Sequence, residues 1–141
     1  MNITKFSDYT LRVLIYLAVT EEKASASEIA SAYGISFHHV AKAAQWLRRE
    51  GYVLAERGRG GGMSLSQPPM KINIGEVLQR SEADTFLVEC FNLNKNGCRI
   101  SPVCGLRSAL ADAETAFYEK LKEKTLADIS PKTKYSNAFL V

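Results

Sequence analysis

Three cysteines are the residues of this chain whose type and spacing are best suited to chemistry. Cys90, Cys98 and Cys104 are the only cysteines of the sequence, with seven residues between the first two and five between the last two. Cysteine is most often a buried small hydrophobe. These intervals, however, hold polar residues typical of loops, namely Asn92, Asn94, Lys95, Asn96 and Gly97. We therefore interpret residues 90–104, the cysteine loop, as a place where thiols meet each other or a metal.

The cysteine loop is suited to a metal or to an iron–sulfur cluster. An odd number of cysteines leaves one thiol outside any disulfide pairing. Three soft thiolates with a fourth position open suit zinc or an iron–sulfur cluster. Cys104 is predicted at the start of a helix, where backbone N–H groups favour a thiolate. Redox-active thiols and purely structural cysteines are the alternatives.

Asp8 is the acidic residue nearest the start of the first predicted helix, residues 4–21, which Thr4 or Ser7 could cap. The helix is indicated by apolar residues at intervals of three and four, namely Phe6, Tyr9, Val13, Leu14 and Leu17. From the residues alone, Asp8 is a carboxylate that stabilises a helix N-terminus.

A helix-turn-helix is predicted next. A capping pattern at 25–28 begins a second helix, which ends at Gly34. Ser36 then caps a third helix over 37–50. Its predicted inward residues are Val40, Ala44 and Leu47. Two helices joined by a short glycine-containing turn form the helix-turn-helix motif, whose second helix reads base edges.

A hairpin follows, with short strands predicted at 52–56 and 63–66 around the glycine-rich tip 57–62. Arg57 and Arg59 add charge to this tip, which can lie on phosphates or in a minor groove. A nucleotide-binding loop is the rival interpretation. It lacks support because the run has no Lys-Ser or Lys-Thr ending and precedes a strand, not a helix.

Positive charge is concentrated in residues 42–59, which hold five basic and two acidic side chains, an excess equal to the +3 of the whole chain. Such a patch indicates a polyanionic partner, here double-stranded operator DNA. The predicted DNA contacts are Ser36, Phe37, His38, His39, Lys42, Arg57, Arg59 and Gly60. Exposed histidines with no task are the alternative for His38 and His39.

The longest helix is predicted over 102–124, after a short helix at 74–82. Ser101 and Pro102 suit its start. Its apolar stripe consists of Val103, Leu106, Leu110, Ala113, Phe117 and Leu121. A partner copy is the expected cover for this stripe, and packing on its own domain is the alternative.

The fold class is therefore mainly α with a small β-hairpin wing: a winged helix-turn-helix plus a long dimerisation helix. We predict a DNA-binding domain over 1–80. Residues 81–141 are predicted to hold the cysteine loop, the dimerisation helix and a C-terminal tail.

Composition favours a globular protein, since 23% of the 141 residues are charged and 46% are hydrophobic. The sequence shows no apolar run of about 18 residues and no export leader. We expect a cytoplasmic protein with no membrane partner, whose thiols stay reduced unless they are bound or catalytic.

The chain resembles the winged-helix iron–sulfur regulators that include IscR and NsrR. The resemblance covers nearly the whole chain and rests, besides the three cysteines, on Phe6-Ser-Asp8-Tyr9 with Leu11-Arg12, Tyr33-Gly-Ile-Ser36, Gly51-Tyr-Val53, and Arg57-Gly58 with Gly60-Gly-Gly62. IscR-type members carry a histidine three residues after the last cysteine, where this chain has Arg107. NsrR-type nitric oxide sensors have an acidic residue where Asp8 stands.

The resemblance implies a homodimer with an iron–sulfur cluster, 4Fe–4S in the NsrR-type branch, with 2Fe–2S as the other possibility. Its implied ligands are Cys90, Cys98 and Cys104, with Asp8 supplied by the partner subunit. The implied function is a repressor, not an enzyme, that releases DNA when nitric oxide nitrosylates the cluster. The alternatives are a regulator sensing cluster supply or redox state and, in another class, an electron-transfer or thiol-redox protein.

Overall fold

The computed structural model describes residues 2–131, which form six α-helices and one two-stranded hairpin. The elements, in chain order, are α1 (Lys5–Thr20), α2 (Ala26–Tyr33), α3 (Phe37–Arg49), β1 (Val53–Glu56), β2 (Gly62–Leu65), α4 (Ile74–Ser81), α5 (Gly105–Lys122) and α6 (Leu126–Ile129). Short 3₁₀ turns occupy Pro69–Lys71, Glu89–Phe91 and Ser101–Val103. The predicted fold class, a winged helix-turn-helix followed by a long helix, is confirmed.

The first helix is the centre of the core. Its N-terminus is capped by Thr4, whose side chain accepts from the Ser7 N–H. Val13, Leu14 and Leu17 are buried and face α3, α4 and α6. Because apolar residues three and four apart share one helix face, the predicted face is the buried one.

The helix-turn-helix forms as the local signals indicate. Ser25 and Glu28 make a reciprocal capping box at the start of α2. Gly34 ends α2 in the left-handed region, with φ of 63°. Ser36 takes the N-cap position of α3, but within the described chain its side chain makes no capping hydrogen bond.

The buried face of α3 differs by one residue from the predicted one. Val40 and Leu47 are fully buried as expected, and Ala43 joins them. Ala44, the residue predicted to face inward, is only partly buried. The apolar periodicity places both alanines near the edge of the apolar face. In the packed structure Ala43 is the one that is fully buried.

The wing is an antiparallel hairpin with Val53 opposite Leu65 and Glu56 opposite Gly62. A feature that the sequence did not predict extends it: Ala24 and Met63 exchange two backbone hydrogen bonds, of 3.0 and 2.8 Å. A side chain at Gly62 would lie 3.1 Å from the Ala24 backbone. Glycine therefore allows the wing to pair closely with the segment that precedes α2.

Helix α5 begins at Gly105 and not at Pro102. The preceding residues form a 3₁₀ turn, and Cys104 at the N-cap has an extended ψ of 113°. The 18 residues of α5 span about 27 Å. Its C-terminal part packs on α4, where Gly75 lies so close to Lys122 that a Cβ would be 2.5 Å away.

The C-terminal end of the described chain closes the core. Leu126 on α6 is fully buried, and its N–H donates to the Ile72 carbonyl at 2.8 Å. The helical turn expected after residue 125 is thus present, while the predicted tail beyond residue 131 lies outside the described residues. Of the helices within 2–131, none is both long and apolar enough to cross a membrane. The domain division at residue 80 stays a prediction.

Candidate functional site

The cysteine loop runs over the surface between α4 and α5. It enters through the 3₁₀ turn Glu89–Phe91 and leaves at Cys104, the N-cap of α5. All three cysteines are free thiols; Cys98 is exposed and the other two are half-buried. A free, accessible thiol is available for ligation or oxidation, unlike a cysteine sealed in a core.

Three side chains hydrogen bond across the loop. The Glu89 carboxylate accepts from the Gly97 N–H at 2.6 Å. The Arg107 guanidinium donates to the Cys90 carbonyl at 3.4 Å. The side chain of Asn96 accepts from the Cys98 N–H and donates to the Ser101 hydroxyl, both at 3.0 Å. Sequence reasoning did not assign a role to Glu89 or Asn96.

The chemistry of the donor set fits an iron–sulfur cluster, because three free thiols and an outside fourth ligand match the usual ligation. The three thiols and the Asp8 carboxylate do not converge on a common point in this structure. Among residues 2–131, no group of three His, Cys, Asp or Glu side chains is arranged to hold a metal ion. The structure therefore brings the three cysteines into one short loop and leaves Asp8 elsewhere on the same chain.

Asp8 has a partner that sequence reasoning missed. Its carboxylate binds Arg12, four residues later, through contacts of 2.9 Å to Nη2 and 3.1 Å to Nε. The Asp8 hydrogen bond raises the pKa of Arg12. The Arg12 guanidinium also lies 5.8 Å from the ring centroid of Tyr9 and 5.7 Å from that of Tyr33. The i, i+4 spacing of opposite charges was the available signal.

The first turn of α1 packs directly on α3. The rings of Tyr9 and His39 have centroids 5.7 Å apart. Phe6 meets Trp46 edge-on at 5.8 Å, and the Lys42 ammonium lies 5.6 Å from the Phe6 ring centroid. Residues on either side of Asp8 in sequence therefore contact the helix that carries the predicted base-reading side chains.

The predicted DNA contacts are all exposed and lie at two places. The first is the N-terminal half of α3 with its preceding turn, comprising Ser36, Phe37, His38, His39 and Lys42. The second is the wing tip, comprising Arg57, Arg59 and Gly60.

Two cations from outside residues 42–59 lie against this stretch in the folded chain and add to its positive charge. Both carboxylates of this stretch pair with cations from outside it, Glu56 with Lys23 and Glu50 with Arg80, and Glu50 also contacts Arg49 within the stretch. The basic side chains therefore face less local compensation than the sequence implies. A polyanion would meet a more strongly positive surface.

A buried carboxylate ties α1 to the segment that leads into the cysteine loop. Glu82 is only 6% exposed, and it accepts hydrogen bonds from the Thr4 N–H at 2.7 Å and the Thr4 hydroxyl at 2.8 Å. Burial acts to raise its pKa, but hydrogen bonds from Ser7 and Thr4 outweigh burial and lower it. Sequence reasoning missed Glu82, because its partners are 78 residues away.

Comparison with protein families gives a match over residues 3–132 to the Rrf2 model, described as an iron-dependent transcriptional regulator. Among individual relatives, the HTH-type transcriptional regulator NsrR of Bacillus subtilis (strain 168) is 47% identical over 131 residues, covering 92% of this chain and 90% of that protein.

Solved structures agree on the fold. CymR, the global cysteine regulator of B. subtilis, is 26% identical with a TM-score of 0.71, and the match covers 92% of this chain and 96% of that one. IscR of T. potens gives a TM-score of 0.71 at 22% identity, covering 92% of this chain and 85% of the other.

Proposed function

Because this chain belongs to the Rrf2 family of iron-dependent transcriptional regulators, we propose that it is a homodimeric repressor with an iron–sulfur cluster that releases operator DNA when nitric oxide reacts with the cluster. As a member of this family the chain is a transcriptional regulator and not an enzyme. The family also argues against the electron-transfer alternative. The cytoplasmic location stays a prediction.

The observation that carries the proposal is the set of three free thiols within one loop that joins the winged helix to α5. Cys90, Cys98 and Cys104 would hold the cluster, and Asp8 of the partner subunit would be the fourth ligand. When bound, the cluster supplies an iron that can react with nitric oxide. A carboxylate is a hard ligand in a set of soft ones, so Asp8 would be the weakest and most exchangeable of the four ligands.

Asp8 can act on DNA binding through short contacts. Its carboxylate is paired with Arg12 here, so ligation would change or share that pairing and alter the first turn of α1. Any movement of this turn reaches α3 through two ring contacts, Tyr9 with His39 and Phe6 with Trp46. A helix start that holds Asp8 and also contacts α3 directly is a physical route for coupling the two sites.

DNA recognition would use the two exposed regions described above. Phe37, His38 and His39 stand at the start of α3, the part of such a helix that reaches base edges. Arg57 and Arg59 at the wing tip would neutralise phosphates and set the register of the complex.

The dimer is proposed from the uncovered part of the α5 stripe. Leu106, in the first turn of α5, is 66% exposed, and Val103, in the 3₁₀ turn before the helix, is 86% exposed. Within residues 2–131, no side chain of α5 is fully buried. Exposed apolar side chains in a row are suited to a second copy, and a two-fold dimer implies a symmetric operator.

A regulator that answers to oxidants or to cluster supply is the second candidate, with 2Fe–2S as a possible cofactor. The observation that favours it is the exposed thiol of Cys98, which an oxidant can reach.

The decisive experiment is a nitric oxide titration of anaerobically purified protein, followed by Mössbauer and absorbance spectroscopy and by operator binding in the same samples. We expect a 4Fe–4S spectrum, and loss of operator binding in step with nitrosylation.

The cysteine variants test the ligand set. Each of Cys90→Ala, Cys98→Ala and Cys104→Ala should be folded, colourless and poor at operator binding. Operator binding that ignores nitric oxide but changes with oxidant would favour the second candidate, and iron-free wild type would refute both cluster assignments.

A further inference from the structure

The cysteine loop is closed by three clasps, the hydrogen bonds of Glu89, Asn96 and Arg107 described above. Each clasp involves a cysteine or residues close to one. Glu89 links the residues that precede the first and second cysteines, and Asn96 joins the N–H of the second cysteine to Ser101, which lies between the second and third. Arg107 reaches from the first turn of α5 back to the carbonyl of the first cysteine. The backbone is thus drawn together around all three cysteines while the thiols remain free.

We infer that Glu89 is a positioning residue that holds the backbones of Cys90 and Cys98 next to each other, so that both thiols can bind one cofactor. This inference rests on the proposed function. Glu89 immediately precedes Cys90, and its acceptor bond reaches Gly97, which immediately precedes Cys98. A single hydrogen bond of 2.6 Å therefore fixes the spacing of the two cysteines across the longer of the two gaps.

The Glu89–Gly97 hydrogen bond matters because the gap between Cys90 and Cys98 is long. Seven residues separate the two cysteines, and closing a flexible loop costs conformational entropy. Local turns shorten the path: the Asn92 N–H donates to the Glu89 carbonyl at 3.0 Å, and the Lys95 N–H to the Asn92 carbonyl at 3.2 Å. These turns reverse the chain, and the Glu89 carboxylate then joins its two ends.

Gly97 allows the close approach. A Cβ at this position would lie 3.0 Å from the Glu89 Oε1 atom, tighter than ordinary contact. A larger residue would require the Glu89 carboxylate to shift by a few tenths of an ångström. The alternative role for Glu89 is that of an exposed, solvated carboxylate, and that role gives no reason for a glycine here.

The test uses three variants: Glu89→Ala removes the acceptor, Glu89→Gln keeps an acceptor without the charge, and Asp84→Ala is a matched control. Asp84 is an exposed carboxylate on the segment that leads into the loop. In metal-free reduced protein, hydrogen exchange of the Gly97 amide, followed by NMR, should be about tenfold faster in Glu89→Ala, as expected for loss of a charge-assisted hydrogen bond. Glu89→Gln should restore most of the protection, and Asp84→Ala should match wild type.

A second readout measures the proximity of the two thiols. In a Cys104→Ala background, oxidised glutathione converts the thiols of Cys90 and Cys98 to one disulfide while it is reduced to two glutathione thiols. The equilibrium constant of this exchange reports their effective concentration. We expect a drop of about tenfold in Glu89→Ala and recovery in Glu89→Gln.

The same variants separate this inference from the proposed function. With Cys104 present, anaerobic Glu89→Ala should lose its iron to a chelator several-fold faster than wild type. If amide exchange and the disulfide equilibrium of Glu89→Ala equal those of wild type, Glu89 does not position the loop, whatever the iron content. If wild type binds no iron, the proposed function fails, while the two metal-free readouts still decide the role of the clasp.

Discussion

The pairing of Asp8 with Arg12 predicts that removing Arg12 strengthens the hold of Asp8 on a cluster. Arg12 engages both oxygens of the Asp8 carboxylate, and this ion pair weakens the carboxylate as a donor to iron, so the guanidinium and an iron atom compete for it. Arg12→Gln keeps part of the aliphatic stem and removes the charge, so it weakens the competitor with limited loss of packing.

The size of the effect follows from the exposure of the pair. The side chains of Arg12 and Asp8 are 39% and 36% exposed, so solvent screens much of their attraction. Exposed pairs at i, i+4 are worth about 0.3–0.5 kcal/mol. An interaction of about 0.5 kcal/mol corresponds to about a twofold change in an equilibrium constant near room temperature. Arg12→Gln should therefore slow iron loss to a chelator about twofold.

A double-mutant comparison shows whether the effect passes through Asp8. Arg12→Gln should slow iron loss in the wild-type background and have no effect in an Asp8→Ala background, where no carboxylate remains to be released. Asp8→Ala itself should retain colour, because the three cysteines remain. The same slowing of iron loss in both backgrounds would refute the competition, and a wild-type cluster spectrum and nitrosylation rate in Asp8→Ala would leave Asp8 as a helix-start residue only.

Three further outcomes are expected. Arg59→Ala should weaken operator binding and reduce the slope of log affinity against log salt by about one unit, and an unchanged slope would remove it from the phosphate contacts. Leu106→Asp should dissociate the dimer in light scattering without unfolding the chain, since Leu106 is 66% exposed in one subunit; a persistent dimer would place the interface elsewhere. Glu82→Gln should cost about 1 kcal/mol in denaturant unfolding at neutral pH. Because the folded pKa of Glu82 is lowered, its contribution is present above the unfolded pKa and disappears as pH falls through the folded value, so variant and wild type should converge in acid.

The sequence by itself determined the order and the approximate ends of the helices and of the hairpin. Helix caps and glycine stops act over three or four residues, as at Ser25 with Glu28 and at Gly34, so their signals are complete in a short window. The apolar repeat of α1 likewise predicted its buried face. The cysteines were recognisable as candidates because their residue type stands out in a polar loop, whereas Asp8 became a candidate ligand only through the resemblance to the family.

Tertiary structure decided what those candidates contact. Glu82 reaches Thr4 across 78 positions of sequence, and Lys23 neutralises Glu56 across 33. No local pattern encodes such contacts, because they depend on how separate helices pack. Packing also buries Ala43 fully and Ala44 only partly, a difference that the apolar periodicity of the sequence does not predict.

In the cysteine loop, sequence patterns also fail to predict contacts between residues that are close in the chain. The spacing of its cysteines suggested the cofactor chemistry, but the backbone between them follows no helix or strand period. Its path is set by individual side-chain hydrogen bonds, those of Glu89, Asn96 and Arg107, and each depends on the three-dimensional position of its partner. The sequence therefore determined which atoms are available for chemistry, and only the folded chain decided which of them are held close together.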